Sequence, residues 1–374
     1  MAERIPAEVF PPGEFLRDEL EARNWTQTEF AEIIHRPVRL VNEIIAGKRG
    51  ITPETARAFS AALGTSPQFW LNLETAYQLS KTAPAPESIG RAAALRDHFP
   101  VREMIKRGWL EDSENIEVLE QRVFDYFGIQ QIGQPVMFSH AARRNHEEEL
   151  SGIQLAWLFR VRQLASALIV PAYSKKALRG ALSDIEELME EPEEIRHVSR
   201  ILADVGVRLV VVEPVPGSKI EGVCFWIDGN KSPVIGLSLK FGRIDNFWFN
   251  LRHEIEHVLN EDGKEAVVVD DTDILAGNDD LTEQEKVANA AAENFCVPTR
   301  QMEDFIARLD PMYSTKSFLG FSKIIGRHPG IVAGQLQRKT DRWDLFRKYQ
   351  VDIRRVLVAT TMTDGYGQTI PAAI

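Results

Sequence analysis

One segment of the chain, Phe247 to Leu259, constrains the fold more than any other. Two histidines, His253 and His257, stand four residues apart, and Glu254 directly follows the first of them. Residues at positions i and i+4 lie on the same face of a helix, one turn apart. Most flanking positions are apolar at helical spacing, so the segment is predicted to form a helix packed in a domain core.

This pair of histidines can reach a single metal ion. With a glutamate after the first histidine, the spacing is that of the HExxH motif, in which zinc takes two histidine ligands and the glutamate acts as general base on a water. We therefore expect zinc as cofactor, His253 and His257 as ligands and Glu254 as catalytic base. The alternative is a buried helix whose histidines are only hydrogen-bonded.

A third ligand is expected from a helix further along the chain. Thr282 is followed three residues later by Glu285, a capping-box pattern that predicts a helix running toward Pro298. Glu285 and Asn289 then share a face, which suits a carboxylate ligand and an amide that holds a ligand histidine by a hydrogen bond. The alternative for Glu285 is a solvated acid favoured by the helix dipole.

Together these two motifs resemble the ImmA/IrrE metallopeptidase-like family, over about residues 150 to 350. The likeness lies in the His-Glu-x-x-His segment and in a helix of the Glu-x-Glu-Ala-Asn type that ends before a proline. It implies a zincin-like α+β domain with Glu254 as catalytic base. It also implies His253, His257 and Glu285 as the metal ligands.

Three positions depart from the family pattern. Ile255-Glu256 replaces a pair that is often Leu-Gly, Val287 replaces the second glutamate of the helix, and Ala291 replaces its phenylalanine. If the ligand role belongs to that second glutamate, Val287 has removed it. Glu285 is favoured because it shares a face with Asn289.

The segment from 328 to 336 resembles the last motif of this peptidase subfamily, in which a helix closes over the cleft. By that resemblance His328 polarises a transition-state oxyanion, which would make it catalytic, or replaces a missing ligand. The alternative is a helix-capping or surface histidine.

Composition limits the class of protein. The chain has 374 residues, 44% of them hydrophobic and 26% charged, which predicts a globular protein of two or three domains. The sequence has only two cysteines, Cys224 and Cys296, which argues against a disulfide scaffold and favours a reducing cytoplasm. Neither lies in a CxxC arrangement, which argues against a cysteine zinc site. No signal-peptide core or apolar run of membrane-spanning length is seen. With a net charge of −11, DNA contact requires a local basic patch.

Residues 14 to 80 carry a series of short helical patterns. Thr26 and Glu29 form a capping box before one helix, Pro37 ends a turn, and a second helix runs from Val38 to Ala46 before Gly47. Two helices joined by a tight turn predict a helix-turn-helix unit. The alternative is a helical bundle used only for protein contacts.

In that unit the second helix would enter the major groove of DNA. Polar and basic side chains at its outer face and at the neighbouring helix ends are the expected contacts with bases and phosphates. These DNA-binding candidates are Gln27, Thr28, Arg36, Arg39, Asn42, Lys48 and Arg49.

This region resembles the HigA-type antitoxins of the lambda-repressor-like family in sequence and order. The matching segments are 12–16, 26–31, 41–49 and 69–73. The resemblance implies a homodimer that binds operator DNA, represses its own operon and neutralises a ribonuclease toxin. The Phe69-Trp70-Leu71 tail is then a dimer-side helix or, alternatively, part of the core.

The predicted fold class is mainly α with a small β-sheet: an all-α helix-turn-helix domain followed by an α+β zincin-like domain. Predicted boundaries are 1–80 for the DNA-binding domain, 81–150 for a linker and helical connector, 151–350 for the zincin-like domain and 351–374 for a tail. Strands are predicted at 207–212, 222–227 and 233–238, before the HExxH helix.

The combined prediction is a cytoplasmic transcriptional repressor and antitoxin whose zinc metallopeptidase-like domain senses a signal or cleaves a regulatory partner. Expected partners are operator DNA, a ribonuclease toxin or another protein, and a second copy of the chain, with no membrane. Two alternatives remain: an active zinc endopeptidase acting on a regulator or on itself, and an inactive pseudoprotease used for docking.

Overall fold

The computed structural model describes residues 9–136, 150–264, 267–271 and 282–367. The chain divides into two compact units, Met1–Ile89 and Gly90–Ile374. The second unit takes in the helices after residue 90 that the sequence assigned to a connector. Residues 137–149 of that predicted connector and 368–374 of the predicted tail lie outside the described residues.

The first unit is a bundle of short helices. They are α1 (Pro12–Ala22), α2 (Gln27–Ile33), α3 (Val38–Ile45), α4 (Pro53–Leu63) and α5 (Pro67–Lys81). Thr26, Thr52 and Ser66 begin α2, α4 and α5, and each side chain accepts a hydrogen bond from the backbone N–H three residues later. Thr26 and Glu29 complete the predicted capping box.

A single core holds these helices together, and it includes the fully buried Leu16, Phe30 and Trp70. Trp70 is therefore a core residue, whereas Phe69 is 39% exposed. Helix α1 lies directly on the backbone of α3, because a Cβ at Gly13 would come within 2.7 Å of the Ile45 Cα. This contact fixes the buried side of α3 and leaves its opposite side at the surface.

The second unit combines helices with one mixed sheet. Its helices are α6 (Glu87–His98), α7 (Val101–Lys106), α8 (Ile116–Phe127), α9 (Gly152–Ala167), α10 (Lys175–Glu187), α11 (Val198–Asp204), α12 (Ile244–Asn260), α13 (Glu283–Cys296), α14 (Thr299–Leu309), α15 (Thr315–Ile324), α16 (Pro329–Thr340) and α17 (Arg354–Val358). Short 3₁₀ segments lie at Pro192–His197 and Arg347–Tyr349.

The sheet has the strand order β4-β2-β3-β1-β5. Its strands are β1 (Arg208–Val212), β2 (Ile220–Ile227), β3 (Ser232–Leu237), β4 (Val268–Asp271) and β5 (Met362–Asp364). β1 is parallel to β3 and β5, whereas β2 is antiparallel to β3 and β4. The strands β1 to β3 were predicted.

Both faces of the sheet are covered, so its strands are apolar at successive positions rather than alternating. On β1, Val210 and Val212 belong to the core that contains α9, whereas Leu209 and Val211 belong to the core that contains α12. The predicted class, mainly helical with a small sheet, is confirmed. No helix within the described residues is both long and apolar enough to span a bilayer.

The composition at the start of the predicted connector, which is rich in proline and alanine, predicts a linker over 81–90, and the structure shows a shorter one. Helix α5 continues to Lys81 and α6 begins at Glu87, so only residues 82–86 lie outside helix. Pro84 and Pro86 account for this break, because proline disfavours helix in the residue before it, and the second proline directly precedes the new helix. The serine and glycine after Glu87 are helical, although composition alone suggested a loop.

Candidate functional site

Helix α12 holds the two histidines inside the second unit. It packs against β2 and β3 on one side and along α13 on the other. His253 is 3% exposed, and Glu254 and His257 have no exposed surface. The predicted core helix is therefore present, with its polar residues enclosed between the sheet and a second helix.

The side chains of His253, His257 and Glu285 converge on one point. The two Nε2 atoms are 3.0 Å apart, and the Glu285 carboxylate oxygens lie 3.1 Å from His253 Nε2 and 3.6 Å from His257 Nε2. Tetrahedral zinc with bonds of about 2.0–2.1 Å separates two ligand atoms by about 3.3 Å. The three groups therefore have the chemistry and spacing of a zinc site, and one ligand atom from each lies within 4.8 Å of the others.

Each imidazole also has an oxygen atom next to its Nδ1, the ring nitrogen that faces away from the point where the three side chains converge. Asn289 Oδ1 lies 3.0 Å from Nδ1 of His253, and Asp262 Oδ2 lies 3.0 Å from Nδ1 of His257. An oxygen acceptor at Nδ1 favours the tautomer that carries its proton there, which leaves the Nε2 lone pair for a metal. Asn289 is at the position considered in the sequence, whereas Asp262 was missed.

Asp262 reaches His257 because the chain reverses just after α12. Glu261 ends the helix in a left-handed conformation with φ of 63°, and the Asp262 N–H donates to the His257 carbonyl at 2.9 Å. An offset of five residues matches no helical face, so periodicity could not find this contact. The usable signal was an Asp-Gly pair soon after the last histidine.

Glu254 packs against strand β2. A Cβ atom added at Gly222 would overlap the Glu254 carboxylate, because the Cδ of Glu254 would be only 2.9 Å from it. The register of β2 against β4 also shifts between Ile220 and Gly222. Glycine at this position therefore makes room for the candidate base.

The residues that depart from the peptidase pattern lie outside the group of three candidate ligands. Val287 is 48% exposed, whereas Glu285, on the same helix, is 5% exposed. Glu256 forms an ion pair with Arg252 at 2.7 Å. Glu283, the other nearby acid, is exposed and pairs with Lys286.

His328 lies at the start of α16, where its Nδ1 accepts a hydrogen bond from the Gly330 N–H at 3.0 Å. Burial lowers the pKa of the His328 imidazole, which keeps it a neutral acceptor at neutral pH. This is the capping arrangement that the sequence left as an alternative. The three-residue ligand group does not include His328.

In the first unit, α2 and α3 form the predicted helix-turn-helix. Val41, Ile44 and Ile45 face the core, and the opposite side of α3 presents Arg39 and Asn42 to solvent. The other candidates are also accessible: Gln27, Thr28, Lys48 and Arg49 are exposed and Arg36 is half-buried. All seven candidates thus lie on or near the solvent side of the two helices.

Acidic side chains pair with the arginines of this surface. Glu43 contacts Arg39 at 2.7 Å and Arg49 at 3.2 Å, and Glu54 pairs with Arg36. The Arg39 guanidinium holds the pKa of the Glu43 carboxyl below its usual range. In this structure the arginine charges are therefore partly balanced.

The known proteins that resemble this chain match its first unit. The Helix-turn-helix family matches residues 16–70. The uncharacterized HTH-type transcriptional regulator YddM of Escherichia coli (strain K12) is 34% identical over 70 residues, which are 19% of this chain and 74% of the relative. Virulence-associated protein I of Dichelobacter nodosus is 37% identical over 79 residues, 21% of this chain and 73% of that protein.

Solved structures are also similar in this region. An addiction module antidote protein of a HigA family from Coxiella burnetii is 30% identical, with 20% of this chain and 97% of that chain covered, at a TM-score of 0.19. The family match spans α1 to α5, the helices that form the first core. Through this amino-terminal unit, the chain belongs to the helix-turn-helix family.

Proposed function

We propose that the chain is a DNA-binding transcription regulator that places α3 in the major groove. The observation that carries this proposal is the exposed face of α3, where Arg39 and Asn42 stand three residues apart opposite a buried apolar side. Arginine and asparagine are the side chains that pair with guanine and adenine edges in two hydrogen bonds. The E. coli relative, named as a transcriptional regulator, supports the same role.

Within this proposal the regulator acts as an antitoxin-like repressor. The resemblance to HigA-type antitoxins supports operator DNA and a ribonuclease toxin as partners, and a homodimer as the binding form. A dimer would present two copies of α3 to half-sites about one helical turn apart. Footprint length on selected DNA tests this, because a monomer protects a single half-site.

Asn42→Ala and Arg39→Ala are expected to weaken specific DNA binding. Loss of a contact to a base edge costs about 1–3 kcal/mol, or roughly 5- to 150-fold in Kd. The measurement is fluorescence anisotropy on DNA selected from a random pool by the wild-type protein. Arg17→Ala, which removes an exposed arginine from α1, is the control and should leave the affinity nearly unchanged. Wild-type affinity in both α3 variants would contradict the proposal.

Glu43→Gln is expected to tighten DNA binding. The substitution releases Arg39 and Arg49 from their carboxylate partner and removes a negative charge from the groove-facing helix. We expect a several-fold lower Kd at low salt, with a steeper salt dependence because more cationic groups contact phosphates. Glu21→Gln makes the same charge change on an exposed position of α1. Equal effects of the two variants would show that only net charge matters.

We further propose that the second unit is a zinc-dependent peptidase. The observation that carries this is the convergence of His253, His257 and Glu285 beside the buried Glu254. Zinc bound there would supply Lewis-acid polarisation of a peptide carbonyl and a water of lowered pKa. The Glu254 carboxylate follows the first ligand along α12 and would accept the proton of the attacking water.

The remaining residues of the site hold its geometry. Asn289 and Asp262 keep the two imidazoles oriented through Nδ1, and the sheet and α13 enclose the site. The substrate class that fits is a peptide bond of a regulatory protein, including this chain itself. A docking role without hydrolysis is the competing function, and it predicts no cleavage by the zinc-loaded protein.

Glu285→Ala is expected to lower zinc affinity by at least 100-fold, since losing a direct ligand exceeds the 10–100-fold typical of a supporting residue. Competition with a chromophoric chelator measures this, with zinc content per chain by elemental analysis. Glu283→Ala is the matched control, because it removes an exposed acid two residues earlier in the same helix. Equal affinities of the two variants would exclude Glu285 as a ligand.

A further inference from the structure

The carboxylate of Asp262 connects two parts of the site. Its Oδ2 lies 3.0 Å from Nδ1 of His257, and its Oδ1 accepts a hydrogen bond from Nε2 of Gln284 at 2.9 Å. Only 7% of its side chain is exposed. Each oxygen therefore serves one donor.

The two donors belong to the two helices that carry the ligands. Asp262 follows the end of α12, where its own N–H donates to the His257 carbonyl at 2.9 Å. Gln284 lies in the first turn of α13, directly before Glu285. The contact therefore links the end of the helix that carries both histidines to the start of the helix that carries the third ligand.

We infer that Asp262 is a positioning residue that sets two metal ligands at once: it orients His257 and, through Gln284, holds the first turn of α13 so that Glu285 faces the histidines. This inference rests on the proposed zinc site and adds a residue to it. Asn289 differs in this respect, because among the described residues its amide oxygen has a hydrogen-bond contact with His253 alone. Loss of Asp262 should therefore affect the site more than loss of Asn289.

A carboxylate suits this position because it accepts from two donors. An asparagine has one acceptor oxygen and one NH₂ group, so Asp262→Asn keeps both contacts only if the Gln284 amide turns over and accepts through its oxygen, whereas Asp262→Ala loses both. Gln284→Glu removes the donor and places two carboxylates together. In the double variant, the new amide oxygen can accept from His257 while its NH₂ group donates to the new carboxylate at position 284. The double variant therefore keeps the hydrogen bond from His257 and restores the bond between positions 262 and 284 with donor and acceptor exchanged.

The experiment measures zinc affinity of the full chain by chelator competition in Asp262→Ala, Gln284→Glu and the double variant that combines Asp262→Asn with Gln284→Glu. We expect each single variant to bind zinc 10–100-fold more weakly than wild type, and the double variant to recover most of this loss. Glu261→Gln is the matched control, because it makes the same charge change on the adjacent exposed residue, and wild-type affinity is expected.

Two further measurements separate positioning from a purely structural role. In metal-free protein, ¹⁵N chemical shifts should show His257 protonated at Nδ1, and Asp262→Ala should give a mixture of tautomers. Gln284→Ala alters an exposed side chain, and so tests the link between the helices even if the Asp262 variants fold poorly. A loss of several-fold in zinc affinity is expected for it.

The outcomes distinguish this inference from the proposed function. If the wild-type protein takes up no zinc, the proposed metal site fails and the inference fails with it. If the wild type binds zinc but Asp262→Ala or Gln284→Ala binds it equally well, the inference alone is overturned. It is also overturned if the double variant remains as weak as the single ones.

Discussion

Replacement of Glu254 by glutamine is expected to abolish peptide hydrolysis while leaving zinc affinity close to that of the wild type. The amide has nearly the same shape as the carboxylate and fits the same buried space, but it cannot accept a proton. General-base catalysis contributes about 10²–10⁴-fold to a rate, so the loss should lie in this range. Mass spectrometry of a digested peptide library, with zinc-loaded protein, measures it.

The control for this experiment is Glu261→Gln, which makes the same substitution on an exposed residue at the end of α12. It should cleave at the wild-type rate. Cleavage by Glu254→Gln at the wild-type rate would show that another group takes the proton. If zinc-loaded wild type cleaves nothing at all, the docking function is favoured instead.

Gly222→Ala is expected to reduce hydrolysis by at least 100-fold with little change in zinc content. The new methyl group would occupy the place of the Glu254 carboxylate and displace it from its position against β2. General-base catalysis contributes about 10²–10⁴-fold to a rate. Displacing the Glu254 carboxylate should therefore lower the rate of hydrolysis as much as replacing it does. The same peptide-library assay compares the two variants directly.

Gly180→Ala provides the matched glycine control. A Cβ at this position in α10 meets no atom within 4 Å, so activity should be unchanged. Because Gly222 lies outside the left-handed φ region, alanine there introduces no backbone strain, and any effect reflects side-chain space. Full activity in Gly222→Ala would show that the active position of the Glu254 carboxylate lies elsewhere.

The helix-turn-helix was predictable because its signals are local. Thr26 and Glu29 fix the start of α2, and Pro37 and Gly47 bracket α3 within about one residue of its observed bounds. The exposed face of α3 follows from the apolar positions on its other side. The pairing of Glu43 with Arg39 also follows from helical i and i+4 spacing. In contrast, the pairing of Glu43 with Arg49 depends on the loop after α3, which no periodicity describes.

The candidate metal site was predictable only in part. The i and i+4 spacing of the histidines placed both on one helical face, and the capping box placed Glu285 in a first turn. Their meeting, however, depends on the packing of α13 along α12, which neither segment encodes alone. Asp262 was missed for the same reason, since a left-handed turn carries it back to His257.

Strand β4 was not predicted, and β5 lies in the segment 351–374, which was predicted only as a tail with a strand-like piece. They contain four and three residues, too few to show an alternating pattern. Each of them forms because a neighbouring strand provides backbone hydrogen-bond partners: β2 pairs with β4, and β1 pairs with β5. Short edge strands of this kind are determined by distant partners in the chain, not by their own residues.

Every residue from 81 to 90 is exposed at the surface, and the family match ends upstream, at residue 70. A single nick in this stretch would leave α1 to α5 and their common core in one piece. A cut there would irreversibly separate the helix-turn-helix unit from the second unit, and every residue of the first core would stay on one fragment.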